Sequence, residues 1–172
     1  MDHIADAARP PELPEIPGDP LALERQVCFA LSIAARSVLS IYRPLLEPMG
    51  LTHPQYLVML ALWGQSPLAV KELTEMLQLD GPTLSPLLKR LEAAGLLTRT
   101  RDPRDERQLR IDLTQKGRAL REDALRVPPS VVAKLGMSLG ELEELHKGLT
   151  SLNKAALRAG VKPLPAPAKD SV

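Results

Sequence analysis

The amino-acid sequence predicts a mostly α-helical fold that carries one β-hairpin wing. Three patterns support this prediction. Apolar residues recur every three or four positions across residues 21–46, as in an amphipathic helix. Two short helical segments flank a turn at residues 80–83. Polar and apolar residues alternate from 108 to 113, as in a half-buried strand.

Composition sets the limits of the folded part. The chain has 172 residues, of which 44% are apolar and 25% are charged, and this is typical of a soluble globular protein. Proline-rich residues 1–20 predict a flexible arm, residues 21–160 a single domain, and residues 161–172 a flexible tail. No stretch of about 20 uncharged apolar residues exists, so we expect no membrane span, and the N-terminus does not read as a secretory signal. The single cysteine excludes an intramolecular disulfide, so the reducing cytoplasm is the expected compartment.

The first two helices are predicted from apolar spacing. A helical stripe covers residues 21–46 and consists of Val27, Leu31, Ala34, Val38, Ile41 and Leu45. Pro48 and Gly50 end this helix, and Thr52 can cap a second one over about 53–65. That second helix is apolar on most sides, so we expect it in the core.

A helix-turn-helix and a wing follow. Helices are predicted over about 70–78 and 83–94, with Asp80 as a cap and Gly95 as a stop. Pro86 lies early in the second of them, where a missing N–H costs least. Residues 96–101 and 107–113 then predict the two strands of a β-hairpin, with a turn over 102–106.

The C-terminal part predicts helices on either side of a proline pair. Thr114 caps a helix over about 115–127, which Pro128-Pro129 break. Ser138 and Glu141 form a capping box for a last helix over about 138–158, with leucines along one face. The sequence therefore predicts a winged helix-turn-helix over about 53–113. Dimerisation helices over about 21–46 and 115–158 would flank it, in a two-fold dimer that presents two recognition helices to DNA.

Charge is concentrated in one segment. Residues 81–121 hold ten Lys and Arg and five Asp and Glu, a net charge of +5, whereas the whole chain has only +1. Such a segment suggests contact with a polyanion, and the alternative is a solvated charged face. An aromatic content of only 2% argues against a stacking platform for single-stranded nucleic acid.

The candidate DNA-binding residues lie on the predicted recognition helix and wing. Hydroxyl and basic side chains of the helix can reach base edges or phosphates, and wing arginines fit a narrow minor groove. Asp105 can orient the guanidinium of Arg107 through charge-assisted hydrogen bonds. The alternative is that the two residues only stabilise the hairpin turn. The full set is Thr83, Ser85, Pro86, Lys89, Arg90, Arg99, Arg101, Arg104, Asp105 and Arg107.

The segment LLKRLEAAGLLTRTRDPRDERQLRIDLTQKGRAL resembles the signature of MarR-type winged-helix regulators, including the Asp-x-Arg of the wing. The front of the chain resembles the organic-hydroperoxide-resistance (OhrR) repressors that have a single sensing cysteine. The segments that carry this resemblance are VCFAL at 27–31, YRPLL at 42–46 and PQYLVML at 54–60. The resemblance covers about residues 23–155. It implies a homodimeric repressor that binds a double-stranded DNA operator.

The same resemblance assigns a redox role to Cys28. It implies that Cys28 is the peroxide-sensing thiol, supported by hydrogen bonds from Tyr42 and position 53 of the partner subunit. Cys28 and Tyr42 are 14 residues apart, about 21 Å along one helix, so they cannot touch within one subunit. Antiparallel packing of two first helices in a dimer could bring Cys28 of one subunit to Tyr42 of the other. Position 53 is His53 where these repressors usually have tyrosine, and Gly81-Pro82 replaces the usual Ser-Gly. The second change suggests a different operator.

Oxidation by an organic hydroperoxide is expected to give a sulfenic acid at Cys28. Because the chain has no second cysteine, the next product is a mixed disulfide with a low-molecular-weight thiol, or a sulfinic or sulfonic acid by overoxidation. The alternative is a regulator released by a small phenolic or carboxylate ligand, with Cys28 a small apolar packing residue. Nothing in the sequence supports an enzyme such as a thiol peroxidase, because this chain has no resolving cysteine, no Gly-rich phosphate loop and no recognisable nucleophile–base pair. The scattered histidines predict no metal site, and no cofactor is expected.

Overall fold

The computed structural model describes residues 17–103 and 105–160, without the side chains of Glu106 and Arg107. The predicted arm lies largely outside the described residues, and Arg104 and the predicted tail lie wholly outside them. The chain divides into two compact units, Met1–Ser37 and Val38–Val172. Its regular elements are α1 (Val27–Leu46), α2 (His53–Gly64), β1 (Leu68–Ala69), α3 (Val70–Leu77), α4 (Gly81–Ala93), β2 (Leu97–Asp102), β3 (Asp105–Leu113), α5 (Gln115–Ala124), α6 (Val127–Leu135) and α7 (Leu139–Arg158).

The first unit holds a short 3-10 turn at Leu23–Arg25 and the N-terminal part of α1. The amide of Gln26 donates to the carbonyl of Pro20 at 2.6 Å, which ties the turn to the chain before it. Val27 and Ala34 of the predicted apolar stripe are exposed and Leu31 is half-buried, so this part of the stripe has little cover within the unit. An exposed stripe of this kind is typical of a helix that packs against another chain.

The core of the second unit is built on α2, as predicted. Val58, Met59 and Leu62 of this helix are almost fully buried. Leu73 of α3 and Ile111 of β3 pack in the same cluster. Thr52 and Gln55 hold the start of α2, since the Gln55 side chain accepts from the Thr52 amide at 2.8 Å.

The wing is confirmed as an antiparallel β2–β3 hairpin, with Leu97 opposite Leu113 and Asp102 opposite Asp105. Sequence reasoning missed a third strand. Leu68 and Ala69 form β1, which pairs with Ile111 and Arg110 and gives the strand order β1-β3-β2. Two residues are too short to show an alternating pattern, so this strand had no signal of its own.

The first helix begins at Val27 rather than at about 21. Two further boundaries differ from the prediction because proline is well suited to the first turn of a helix. The recognition helix begins at Gly81 rather than 83, with Pro82 in its first turn, so Pro86 falls inside the second turn instead of near the start. Pro128-Pro129 do not merely break a helix. They lie in the first turn of α6, a helix that the prediction lacked.

The predicted caps are confirmed. Asp80 accepts from the Thr83 amide at 2.7 Å, and Ser138 and Glu141 form the capping box of α7. Gly95 follows α4 with a φ of 72°, a conformation that favours glycine.

One helical segment among the described residues, Val27–Met49, is long and apolar enough to cross a membrane, with a mean hydropathy of 1.2. A single such helix is weak evidence for a span, because packing helices of soluble proteins meet the same criterion. The segment includes Arg36 and Arg43, and the absence of a membrane span stays a prediction.

Candidate functional site

Helix α4 separates its buried and exposed residues cleanly. The buried leucine face consists of Leu84, Leu88 and Leu91, which are at most 3% exposed. Four of the five predicted DNA-binding residues of the helix lie on the exposed side, and the fifth, Thr83, is half-buried. The four are Ser85, Pro86, Lys89 and Arg90. The leucines therefore anchor the helix and leave its polar side accessible to a partner.

The wing arginines have different surroundings. Nε and Nη2 of Arg99 contact Oε2 of Glu92 at 2.8 and 2.5 Å, which links β2 to the recognition helix. Hydrogen bonding from Arg99 lowers the pKa of the Glu92 carboxyl. Arg101 is exposed on the same strand. Arg99 thus has a structural partner, and its contact with DNA stays a prediction.

The tip of the wing is only partly described. Asp105 accepts from the Gln108 amide at 3.0 Å. Arg104 and the side chain of Arg107 lie outside the described residues, so the Asp105–Arg107 pair stays a prediction. Arg110 contacts Asp102 at 3.1 Å and ties the two strands together below the tip.

A polar cluster that sequence reasoning missed holds the base of the wing. Ser66 donates to Asp112 Oδ1 at 2.6 Å, and Arg118 contacts the same oxygen at 2.8 Å. The hydrogen bond from Ser66 is the main cause of the lowered pKa of Asp112. Ser66 lies 46 residues from Asp112 in sequence, so no local pattern could have indicated this pair.

Two side-chain hydrogen bonds connect the start of α5 to the end of the recognition helix. Thr114 Oγ1 donates to the carbonyl of Gly95 at 2.6 Å, and Lys116 Nζ donates to the carbonyl of Ala94 at 2.9 Å. Trp63 Nε1 donates to the carbonyl of Gly117 at 2.8 Å. A Cβ atom at Gly117 would overlap with the Leu96 carbonyl, so the close approach needs glycine there.

Three of the four aromatic residues of the chain lie in one row with His53. The rings of Tyr42 and His53 meet edge to face with centroids 4.9 Å apart. Tyr42 and Tyr56 follow at 6.1 Å, and Tyr56 and Trp63 at 6.3 Å. We call this set the aromatic row; it runs from the predicted thiol-supporting residues to the α4–α5 junction. Burial lowers the pKa of His53 and raises that of Tyr56, so both are neutral near pH 7.

Cys28 is exposed in the first turn of α1. Its carbonyl accepts from Ser32 Oγ at 2.8 Å. The predicted pairing of its thiol with Tyr42 and His53 of the partner subunit stays a prediction. Among the described residues, no group of three His, Cys, Asp or Glu side chains is arranged to hold a metal ion.

Comparison with known proteins gives a consistent result. The model of the MarR family matches residues 51–109. The chain is 47% identical over 149 residues to the transcriptional regulator TtmR of Methylorubrum extorquens, covering 86% of this chain and 76% of the relative. It is 41% identical over 134 residues to the organic hydroperoxide resistance transcriptional regulator of Bacillus subtilis, covering 78% and 91%.

The fold is also that of a solved DNA complex. The structure of reduced AbfR bound to DNA superposes with a TM-score of 0.71 at 32% identity, covering 81% of this chain and 95% of that one. AbfR is a protein of Staphylococcus epidermidis and has also been solved in an overoxidized form bound to DNA. These relatives are regulators that bind DNA, and the sequence prediction of a winged helix-turn-helix regulator rather than an enzyme is confirmed.

Proposed function

Since the chain belongs to the MarR family of winged-helix transcriptional regulators, we propose that it is a repressor that senses organic hydroperoxides through Cys28 and then releases its operator. The observation that carries this proposal is the position of Cys28. It is the single cysteine of the chain, it is exposed, and it lies in the first turn of α1. The relative from Bacillus subtilis is named for organic hydroperoxide resistance, which supports this class of oxidant.

The proposal requires a homodimer. Helix α7 exposes Leu145, Leu149 and Leu152 by 42–50% along one face, and α1 exposes Val27, Ile33 and Leu39 by 41–64%. Contiguous apolar surface of this extent favours association. Antiparallel pairing of two α1 helices would bring Cys28 of one protomer to Tyr42 and His53 of the partner subunit.

The chemical step needs only a thiolate and the hydroperoxide. The Cys28 thiolate attacks the outer oxygen of R–O–OH, an S–O bond forms, the O–O bond breaks, and the alkoxide takes a proton and leaves as the alcohol. Cys28 is oxidised to the sulfenic acid and the peroxide is reduced. A low-molecular-weight thiol then displaces water from sulfur and forms a mixed disulfide.

The residues around the thiolate act as hydrogen-bond donors. A Tyr42 hydroxyl of the partner subunit would stabilise the thiolate by donating to its charge. His53 has a lowered pKa, so near neutral pH it contributes one ring N–H rather than a positive charge. An adduct on sulfur would disturb this packing and change the spacing of the two recognition helices on DNA. The protein would work in the cytoplasm, where small thiols keep Cys28 reduced.

A second candidate function is release by a small phenolic or carboxylate ligand without Cys28. A cavity of about 420 Å³ beside His53 supports it, because Arg43 on its border can pair with a carboxylate. The two candidates differ in their need for the thiol.

Mass spectrometry of the intact protein separates them. We expect wild-type protein treated with one equivalent of organic hydroperoxide to gain one oxygen, and to gain the thiol instead when a low-molecular-weight thiol is present. Cys28→Ser should gain neither the oxygen nor the thiol, and in a gel-shift assay it should stay bound to DNA after the same treatment. A Cys28→Ser protein that is still released by a phenolic carboxylate would favour the second candidate, and a wild-type Cys28 that does not react would contradict the first.

A further inference from the structure

The exposed face of the recognition helix has an apolar centre. Pro82 and Pro86 are both exposed and lie four residues apart within α4. Residues spaced by four share one face of a helix. The two pyrrolidine rings therefore form one continuous apolar strip along the outside of α4.

This strip is the part of the helix furthest from the protein core. At about 100° per residue, the midpoint of Pro82 and Pro86 lies roughly 180° around the axis from the centre of the buried leucine face. Lys89 follows one turn further along the same face and ends the apolar strip. Ser85 lies on one flank, and Thr83 and Arg90 lie on the other.

The arrangement matches the chemistry of a major groove. A recognition helix enters the groove with its N-terminal residues towards the bases, and Pro82 and Pro86 are in its first two turns. Hydroxyl and basic groups on the flanks can reach phosphates and base edges. The centre has neither an N–H nor a hydroxyl to offer, and the C5 methyl of thymine is the apolar group that bases present in the major groove.

We propose that Pro82 and Pro86 determine specificity by packing against thymine methyl groups of the operator. The inference rests on the DNA-binding role of the chain and not on the redox role of Cys28. Pro82 stands at the point where the sequence departs from the Ser-Gly of the repressors it resembles.

Removal of single methyl groups tests this inference. Reduced full-length protein would first select duplexes from a random-sequence pool, and each thymine of the preferred duplex would then be replaced by deoxyuridine. We expect one or more positions in each half-site to weaken wild-type binding about fourfold, the effect of burying one methyl-sized group. The Pro82→Ala/Pro86→Ala double variant should bind the thymine duplex and the deoxyuridine duplex with equal affinity.

Pro54→Ala is the matched control, because Pro54 is exposed and occupies the same second position of α2 that Pro82 occupies in α4. It should keep the full deoxyuridine penalty. The inference is overturned if wild-type protein ignores every methyl, a result that needs no variant and leaves the regulator role intact. It is also overturned if the double variant keeps the wild-type penalty. A wild-type protein that selects no sequence at all would overturn the DNA-binding role as well.

Discussion

The rings of Tyr42 and His53 meet edge to face, with centroids 4.9 Å apart and planes inclined at 71°. Aromatic pairs prefer this geometry, because the edge of one ring is positive and the face of the other is negative. Burial lowers the pKa of His53 from the usual 6.5, so the imidazole of this pair is neutral near pH 7.

The lowered pKa of His53 predicts a dependence of stability on pH. The unfolded chain takes up a proton near pH 6.5, at a higher pH than the folded protein does. The stability that neutral His53 contributes is therefore present above pH 6.5 and is lost as the pH falls through the lowered pKa. Urea unfolding at a series of pH values should show this decline, and His53→Gln should reduce it.

His146→Gln provides the control, because His146 is exposed on α7. It should leave the pH dependence as in the wild type. Tyr42 contacts the His53 ring, and Arg43 and Glu47 border the cavity beside it with opposite charges. An unchanged slope in His53→Gln would show that another group causes the decline.

Gly117→Ala is expected to destabilise the second unit by about 1–3 kcal/mol or more, because the new methyl group would overlap with the Leu96 carbonyl. The α4–α5 junction must then open, so affinity for DNA should fall as well. Gly140→Ala is the matched control. Apart from its chain neighbours and the backbone of its own helix, no described residue has an atom within 4 Å of the new methyl group, so Gly140→Ala should not destabilise. Equal stability of the two variants in urea unfolding would contradict the tight junction.

Trp63→Phe tests the hydrogen bond from the indole to the Gly117 carbonyl. Phenylalanine keeps a ring beside Tyr56 but has no N–H to donate, so we expect a loss of about 1 kcal/mol in the free energy of unfolding. Trp63→Leu removes the ring as well and should cost about 0.5–1.5 kcal/mol more. Circular dichroism in urea measures both, since Trp63 is the only tryptophan and its fluorescence is lost. Wild-type stability of Trp63→Phe would argue against the indole bond.

The salt dependence of DNA binding distinguishes the two kinds of basic residue in the candidate interface. Lys89 is exposed on α4, whereas the guanidinium of Arg99 contacts Glu92. Each phosphate contact contributes about 0.9 to the slope of log affinity against log salt concentration. Lys89→Gln should therefore lower the slope by about 1, and Arg99→Gln should change it less. A full unit of loss in Arg99→Gln would show that Arg99 leaves Glu92 and contacts phosphate.

Local patterns were sufficient to predict most of the fold. The heptad-like stripe from Val27, the capping box at Ser138 and the glycine stop at Gly95 each depend on residues close in sequence. The third strand and helix α6 were missed for physical reasons. Leu68 and Ala69 form a strand only because β3 lies beside them, and the proline pair at 128 and 129 can either end a helix or begin one.

The candidate site was predictable in its residue types but not in its connections. Basic and hydroxyl residues on α4 were identified from charge and spacing. The pairing of Arg99 with Glu92 and of Ser66 with Asp112 depends on tertiary packing, which sequence spacing does not encode. The edge-to-face contact of Tyr42 and His53 likewise requires α1 and α2 to be packed together.

The most direct test of the redox role of Cys28 is a gel-shift assay with the DNA upstream of the protein's own gene. Wild-type protein and Cys28→Ser would be compared before treatment, after an organic hydroperoxide, and after a thiol reductant. The proposal predicts that the oxidant abolishes the wild-type shift, that the reductant restores it, and that Cys28→Ser binds throughout. Equal release of both proteins, or release of neither, would contradict a sensor based on Cys28.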